Sequence, residues 1–153
     1  MSHHVFVYGT LLYDEVVLGL TGTIIPSVDA TLPHYRRLNV HQPGRDAKGP
    51  AIVPSVGDCT TGRILLDVND RCLQILDLLE LDGGGYERVT VDAIADSNTT
   101  LSVQVYRATE AFRKHLFGDW SIDDFQRQYL AYYLTDRIPT LVAKWRAEGK
   151  YPD

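Results

Sequence analysis

At 153 residues, 44% hydrophobic and 23% charged, the chain has the length and apolar content of one globular domain with its own core. A formal net charge of -5, with no basic cluster beyond Arg36-Arg37 and the looser Arg113-Lys114, argues against a nucleic-acid binder, which must neutralise phosphates. Cys59 and Cys72 lie outside any CxxC or histidine cluster and read as reduced, buried thiols, and no stretch approaches the ~20 apolar residues of a membrane span or a targeting segment, so a cytoplasmic protein with no membrane and no metal is expected.

The first element is the run Val5, Phe6, Val7 and Tyr8, β-branched and aromatic, which reads as a buried strand over 4–8. It stops at Gly9-Thr10-Leu11. A glycine there tolerates backbone angles that a side chain forbids, so the turn is either a tight connection or a ligand-binding loop. Asp14-Glu15 opens a short helix, and further strands are expected around 23–32, 35–40 and 60–68, punctuated by Gly and Pro.

The segment "NDRCLQILDLLE" places Cys72, Leu73, Leu76 and Leu79 at helical spacing between a capping Asn69 or Asp70 and the glycines Gly83 to Gly85. Glu80 therefore falls at the C-terminal end of a short amphipathic helix, flanked by leucines. The negative end of the helix dipole and partial desolvation both make a carboxylate there more basic, which suits a general base; the alternative is a solvated Glu at a frayed helix end. The three glycines lack the frame of a dinucleotide loop and read as a bend giving close reach to a small ligand.

Strands over 86–94 and 100–107 form a hairpin across "DSNTT". In "TLSVQVYR", Leu101, Val103 and Val105 face one way and Ser102, Gln104 and Tyr106 the other. Beyond residue 109 the pattern is helical with no strand signal: "TEAFRKHLFGDW", then "SIDDFQRQYLAYYL" capped by Ser121 with Asp123-Asp124 in its first turn, then "PTLVAKWRAEG" with Pro139 near its start. Phe125, Tyr129, Tyr132 and Tyr133 form an aromatic seam expected to bury against the β-rich part or a partner chain.

Taken together, "VFVYGTL", then "LDLLE" followed after a short gap by "YERVTV", with "ATLPHYRRLNV", "GPAIVPSVGDCTTGRILLDV" and "VQVYRA" in the expected order, resemble the gamma-glutamylcyclotransferase-like family, including its AIG2-like branch. The resemblance runs to about residue 108; the tail is more loosely similar to an extension on some AIG2-like members and brings no chemistry with it. It implies an α+β fold, a small mixed β-barrel with flanking helices, in a single domain 1–153 of which 109–153 is a helical extension.

The activity implied is cofactor-free: the α-amine of a gamma-glutamyl group attacks its own side-chain amide carbonyl, giving 5-oxoproline and a free amine. On this likeness Glu80 is the acid/base, and Tyr8, Gly9, Thr10 and Leu11 are the substrate loop. Tyr86 is either a substrate contact or a buried hydroxyl holding the Glu80 loop. Arg88 reads as structural, and Tyr106 as cavity-lining or surface. Asp82, two residues past Glu80, is the alternative acid. The implied partner is a small gamma-glutamyl substrate, a homodimer is compatible, and the competing function is a binding module for a small acidic metabolite in the same cavity.

Overall fold

The computed structural model describes residues 2–41, 49–82 and 84–153. Strand β1 (Ser2–Val7) shows how the barrel is built: with side chains alternating across a strand, Phe6 points into one buried cluster and Val5 and Val7 into another. Both faces of β1 are therefore apolar because both are covered.

β1 runs antiparallel to the second half of β3 (Pro50–Asn69), with Phe6 opposite Ile64, and parallel to β5 (Thr100–Ala108), with Val5 opposite Gln104. β5 forms the expected hairpin with β4 (Tyr86–Ala95). β4 meets β2 (Ser27–Val40) through Ala30–Ala95 and Thr31–Ile94, and β2 returns to β3 from Ser27–Leu65 to Asn39–Pro50. The ring β3-β1-β5-β4-β2-β3 is thus a closed five-stranded mixed barrel. Phe6, Leu32, Ile52, Ile64, Val103 and Val105 fill its interior. Outside it, Val5 and Val7 pack with Val16, Val17 and Leu20 of α1 (Asp14–Thr21), with Cys72, Ile75 and Leu76 of α2 (Asp70–Leu81), and with Phe125, Ile138 and Trp145 from the tail.

Several expectations are corrected. The segments 23–32 and 35–40 are one strand beginning at Ser27, bent at His34, whose φ is 65°, where the register with β3 shifts. β3 begins at Pro50, ten residues before the expected start: Pro54 and Gly57 are carried by an irregular stretch of this long two-stranded arm, with Gly57 at φ 90°. Cys59 on that arm is exposed, whereas Cys72 is buried.

The tail contains a strand, against the expectation of helix throughout. A 3-10 turn (Ala111–His115) leads into β6 (Leu116–Asp119), which pairs with the outer end of β2 through Val40–Leu116 and Leu38–Asp119. Neither apolar alternation nor burial specifies those four residues. They are extended because β2 offers an open edge, reinforced by Asn39 Nδ2 donating to the Asp119 carbonyl at 2.9 Å. Helix α3 (Ile122–Gln128) follows, capped as expected by Ser121 Oγ accepting from Asp124 N, then α4 (Leu130–Tyr132), a π-helical segment (Tyr133–Arg137) and α5 (Ile138–Ala147). Phe125 and Tyr133 are buried, but Tyr132 is exposed, so the seam is narrower than its four aromatics suggest. No helix among the described residues is long and apolar enough to cross a membrane.

Candidate active site

Helix α2 places Glu80 by its period. Asn69 Oδ1 accepts from Cys72 N at 2.8 Å and fixes the start, and the helix buries Cys72, Leu73, Ile75 and Leu76. One turn beyond Leu76 on that inward stripe stands Glu80, and one turn beyond Leu73 stands Asp77. Asp77 locks the rotation of the helix: its carboxylate accepts from the Tyr106 hydroxyl at 2.7 Å and from Arg88 Nε at 2.9 Å, while Arg88 Nη1 reaches Gln104 Oε1 at 2.8 Å. Arg88 is structural, as expected. Tyr106, the ambiguous residue of β5, is 3% exposed because α2 covers its face of the sheet.

Glu80 faces a cavity of about 60 Å³ at one end of the barrel. Tyr8, Gly9, Thr10, Leu11, Leu79, Tyr86 and Tyr106 share its lining, so the fold brings every candidate from the turn and the helix to one place. The floor is aromatic and buried, whereas Thr10, Leu79 and Glu80 are half-buried. Asp82 is exposed and borders a separate groove with Gln74 and Lys150. A larger groove of about 550 Å³, beside Asp29, Thr61 and Asp96, brings none of the candidate residues together.

The turn after β1 is a single 3-10 turn (Thr10–Leu12) closed by Leu12 N donating to Gly9 O at 3.0 Å. Its leading amides, at Thr10 and Leu11, have no acceptor within such a turn. The need for glycine at 9 is local: a Cβ would stand 2.5 Å from Pro50 Cδ. Pro50 is in turn held by Tyr86, whose hydroxyl donates to its carbonyl at 2.9 Å, so this bond of Tyr86 steadies the start of β3. Arg37 steadies the turn from behind, with Nη1 donating to Tyr8 O at 2.8 Å and the guanidinium 5.2 Å over the Trp120 ring.

Electrostatics favour neutral tyrosines. The Tyr8 hydroxyl donates to the Tyr106 carbonyl, and its pKa is raised well above 10 by burial first, then by Tyr86 and the charge of Glu80. Tyr106 is raised likewise by burial, by its bond to Asp77, and by the charges of Asp77 and Glu80. Both hydroxyls thus feel the Glu80 carboxylate and remain protonated donors at neutral pH.

Of the two described glycines after α2, Gly84 serves the turn and Gly85 the packing. Gly84 takes φ 77°, and a Cβ at Gly85 would meet the Phe112 ring at 3.0 Å; neither lines the cavity, and Gly83 lies outside the described residues. Among the lining residues that sequence reasoning missed are Gly49 and Pro50, at the start of β3, and Tyr133 and Arg137, from the π-helical segment of the tail. The spacing of Tyr133 and Arg137 put them on one helix side, but nothing in it says that this side meets the barrel end. Among the described residues no group of three or more His, Cys, Asp or Glu is placed to hold a metal ion.

With this geometry in view, the comparisons are consistent with one another. The family model described as gamma-glutamyl cyclotransferase, AIG2-like, matches residues 5–122. AIG2-like protein D of Arabidopsis thaliana is 30% identical over 134 residues, 86% of this chain and 84% of that protein, and AIG2-like protein A of the same plant is 28% identical over 99% and 88%. A solution structure of an Arabidopsis thaliana protein, 29% identical, superposes with a TM-score of 0.65 over 98% of this chain and 95% of that one. A solved gamma-glutamyl cyclotransferase shares the fold at 16% identity, with a TM-score of 0.65 over 94% and 99% of the two chains. The chain belongs to the gamma-glutamyl cyclotransferase, AIG2-like family.

Proposed function

We propose that the protein is a cofactor-independent gamma-glutamyl cyclotransferase that converts a gamma-glutamyl amino acid or amine into 5-oxoproline and the free amine. The observation that carries this reading is that Glu80 and the Thr10-Leu11 turn line the same small cavity. Cyclisation needs a base and oxyanion donors on either side of a single carbonyl. A cavity of this size accommodates the equivalent of about four to six waters, which suits a short acyl chain rather than an extended ligand.

In this mechanism Glu80 takes a proton from the substrate α-ammonium. The freed amine attacks the side-chain carbonyl carbon and forms the ring C–N bond. The oxygen that becomes anionic accepts from the Thr10 and Leu11 amides, pre-aimed by the turn. On collapse the original amide C–N bond breaks, Glu80 returns its proton to the departing amine, and the extra proton on the ring nitrogen also passes to that amine, which leaves as an ammonium. The neutral Tyr8 and Tyr106 hydroxyls border the site without adding negative charge, while Asp77 keeps α2, and so Glu80, at a fixed rotation. The whole chain acts as one domain, since tail side chains share the core around α1 and α2. The free thiols Cys59 and Cys72 fit a reducing, cytoplasmic setting.

The test is 5-oxoproline formation from a panel of gamma-glutamyl amino acids, gamma-glutamyl-lysine isopeptide and glutathione. Glu80→Gln preserves volume and removes the basic oxygen, so activity is expected to fall at least about 100-fold, the lower end of a positioned general base, with circular dichroism unchanged. Asp82→Asn is expected to retain most activity. Comparable turnover in Glu80→Gln and the parent removes Glu80 from the mechanism, and failure of the parent on every substrate favours a binding module instead.

A further inference from the structure

The tail segment that the sequence assigns no chemistry supplies one wall of the cavity. Among the described lining residues one is acidic, Glu80, and one is cationic, Arg137; the remainder are aromatic, apolar, glycine, proline or threonine. The two charges occupy comparable places, both half-buried and both next to the aromatic floor formed by Tyr8, Tyr86, Tyr106 and Tyr133. Arg137 is oriented by its own segment, its guanidinium lying 5.7 Å over the Tyr133 ring, while Tyr133 is anchored 5.1 Å from the Phe125 ring. π-helical turns are uncommon and tend to occur at functional sites, and this one carries both cavity residues of the tail. The other arginine near the turn, Arg37, is committed to the Tyr8 and Thr61 carbonyls and does not line the cavity.

An α-amino acid head group carries an ammonium and a carboxylate on one carbon. A site that holds it near a carboxylate must also neutralise its acid, and a guanidinium fork matches a carboxylate with two parallel hydrogen bonds. We infer that Arg137 binds the α-carboxylate of the gamma-glutamyl group, with Glu80 at the α-amine and the acyl carbonyl turned to the Thr10-Leu11 amides. This inference rests on the cyclotransferase reading and gives the helical tail a role in selecting substrates with a free α-carboxylate.

Two ligands separate the carboxylate from the ring: 5-oxo-L-proline, and 2-pyrrolidinone, the same lactam without its acid. By calorimetry or NMR titration, Arg137→Gln is expected to weaken 5-oxo-L-proline about 10- to 100-fold, the range for hydrogen bonds to a charged group, and to leave 2-pyrrolidinone within about twofold. With a gamma-glutamyl anilide, whose leaving group is neutral, KM is expected to rise about 10-fold or more while kcat changes less than about threefold. Arg137→Lys keeps a point charge without the fork and is expected to recover part of the loss.

Unchanged 5-oxo-L-proline binding in Arg137→Gln, or equal weakening of both ligands, overturns the assignment. So does a KM effect confined to substrates whose departing amine bears a carboxylate, because Arg137 would then read the leaving group. A parent protein that neither binds 5-oxo-L-proline nor forms it overturns the cyclotransferase reading and this inference with it. If Glu80→Gln stays active while the Arg137 effects appear as described, the carboxylate clamp is supported and only the base is misassigned.

Discussion

The barrel over residues 2–108 and the tail over 109–153 are held by different means. In the barrel, ladders fix each strand against two neighbours, and side chains at alternate positions fall into the interior cluster while those on the outer face of β1 meet helices. The tail is a series of short pieces, a 3-10 turn, a four-residue strand, helices and a π-helical segment, attached through separate anchors: Phe112, Trp120, Phe125, Tyr133, Ile138 and Trp145. A repeating pattern announces itself in a sequence, whereas single anchors do not. The tail therefore reads as an appendage although it closes the core over α1 and α2 and lines the cavity.

The sharpest way to break this comparison is Trp145→Ala. Trp145 is 2% exposed, in the same cluster as Val5, Leu20 and Ile75, and α5 comes so close to α1 that a Cβ at Gly19 would meet Ile138 Cγ2 at 3.3 Å. If the tail is core, the loss is about 3–5 kcal/mol, as for large aromatics elsewhere, a substantial share of a typical domain's stability. Chemical denaturation with a single transition checks it. A cost below about 1 kcal/mol would mean that the tail is dispensable to the fold.

Legibility follows the same division. The turn at Gly9 to Leu11, the α2 boundaries from Asn69 to the glycines, and the β4–β5 hairpin were all readable, because caps, turn residues and period-two or period-3.6 patterns are local signals. The burial of Tyr106 was not, since the residue that covers it, Asp77, is 29 positions away. Nor was β6, whose conformation is imposed by β2, nor the reach of Arg137 to the cavity, which depends on a π-helical turn without a sequence signature. Gly9 itself was legible, but its neighbour was not: Pro50, 41 positions on, fills its open side.

That close contact gives the next test, within the barrel. Gly9→Ala would place a methyl 2.5 Å from Pro50 Cδ and 2.8 Å from Cγ, and a proline ring has no rotamer by which to withdraw. A loss of about 1–3 kcal/mol is expected, the usual range for overpacking. Adding Pro50→Ala should recover part of it, so that the two changes are measurably non-additive in a double-mutant cycle. Additive effects would mean that the contact with Pro50 is not what requires glycine at this position.

The smallest effect is expected where the two regions meet outside the core. Asp119 at the end of β6 accepts from Arg36 Nη2 at 3.1 Å and Nε at 3.3 Å, a forked contact that looks like a clasp between tail and barrel. Both side chains are largely in water, 52% and 74% exposed, and exposed pairs contribute about 0–1 kcal/mol because solvent screens them and ordering two long side chains costs entropy. Asp119→Ala leaves intact the backbone pairing of β6 with β2 and the bond from Asn39 to the Asp119 carbonyl, which is main chain. The unfolding free energy from chemical denaturation is therefore expected to change by no more than about 0.5 kcal/mol. A loss above about 1.5 kcal/mol would show that a side-chain clasp, rather than the open edge of β2, makes residues 116–119 a strand.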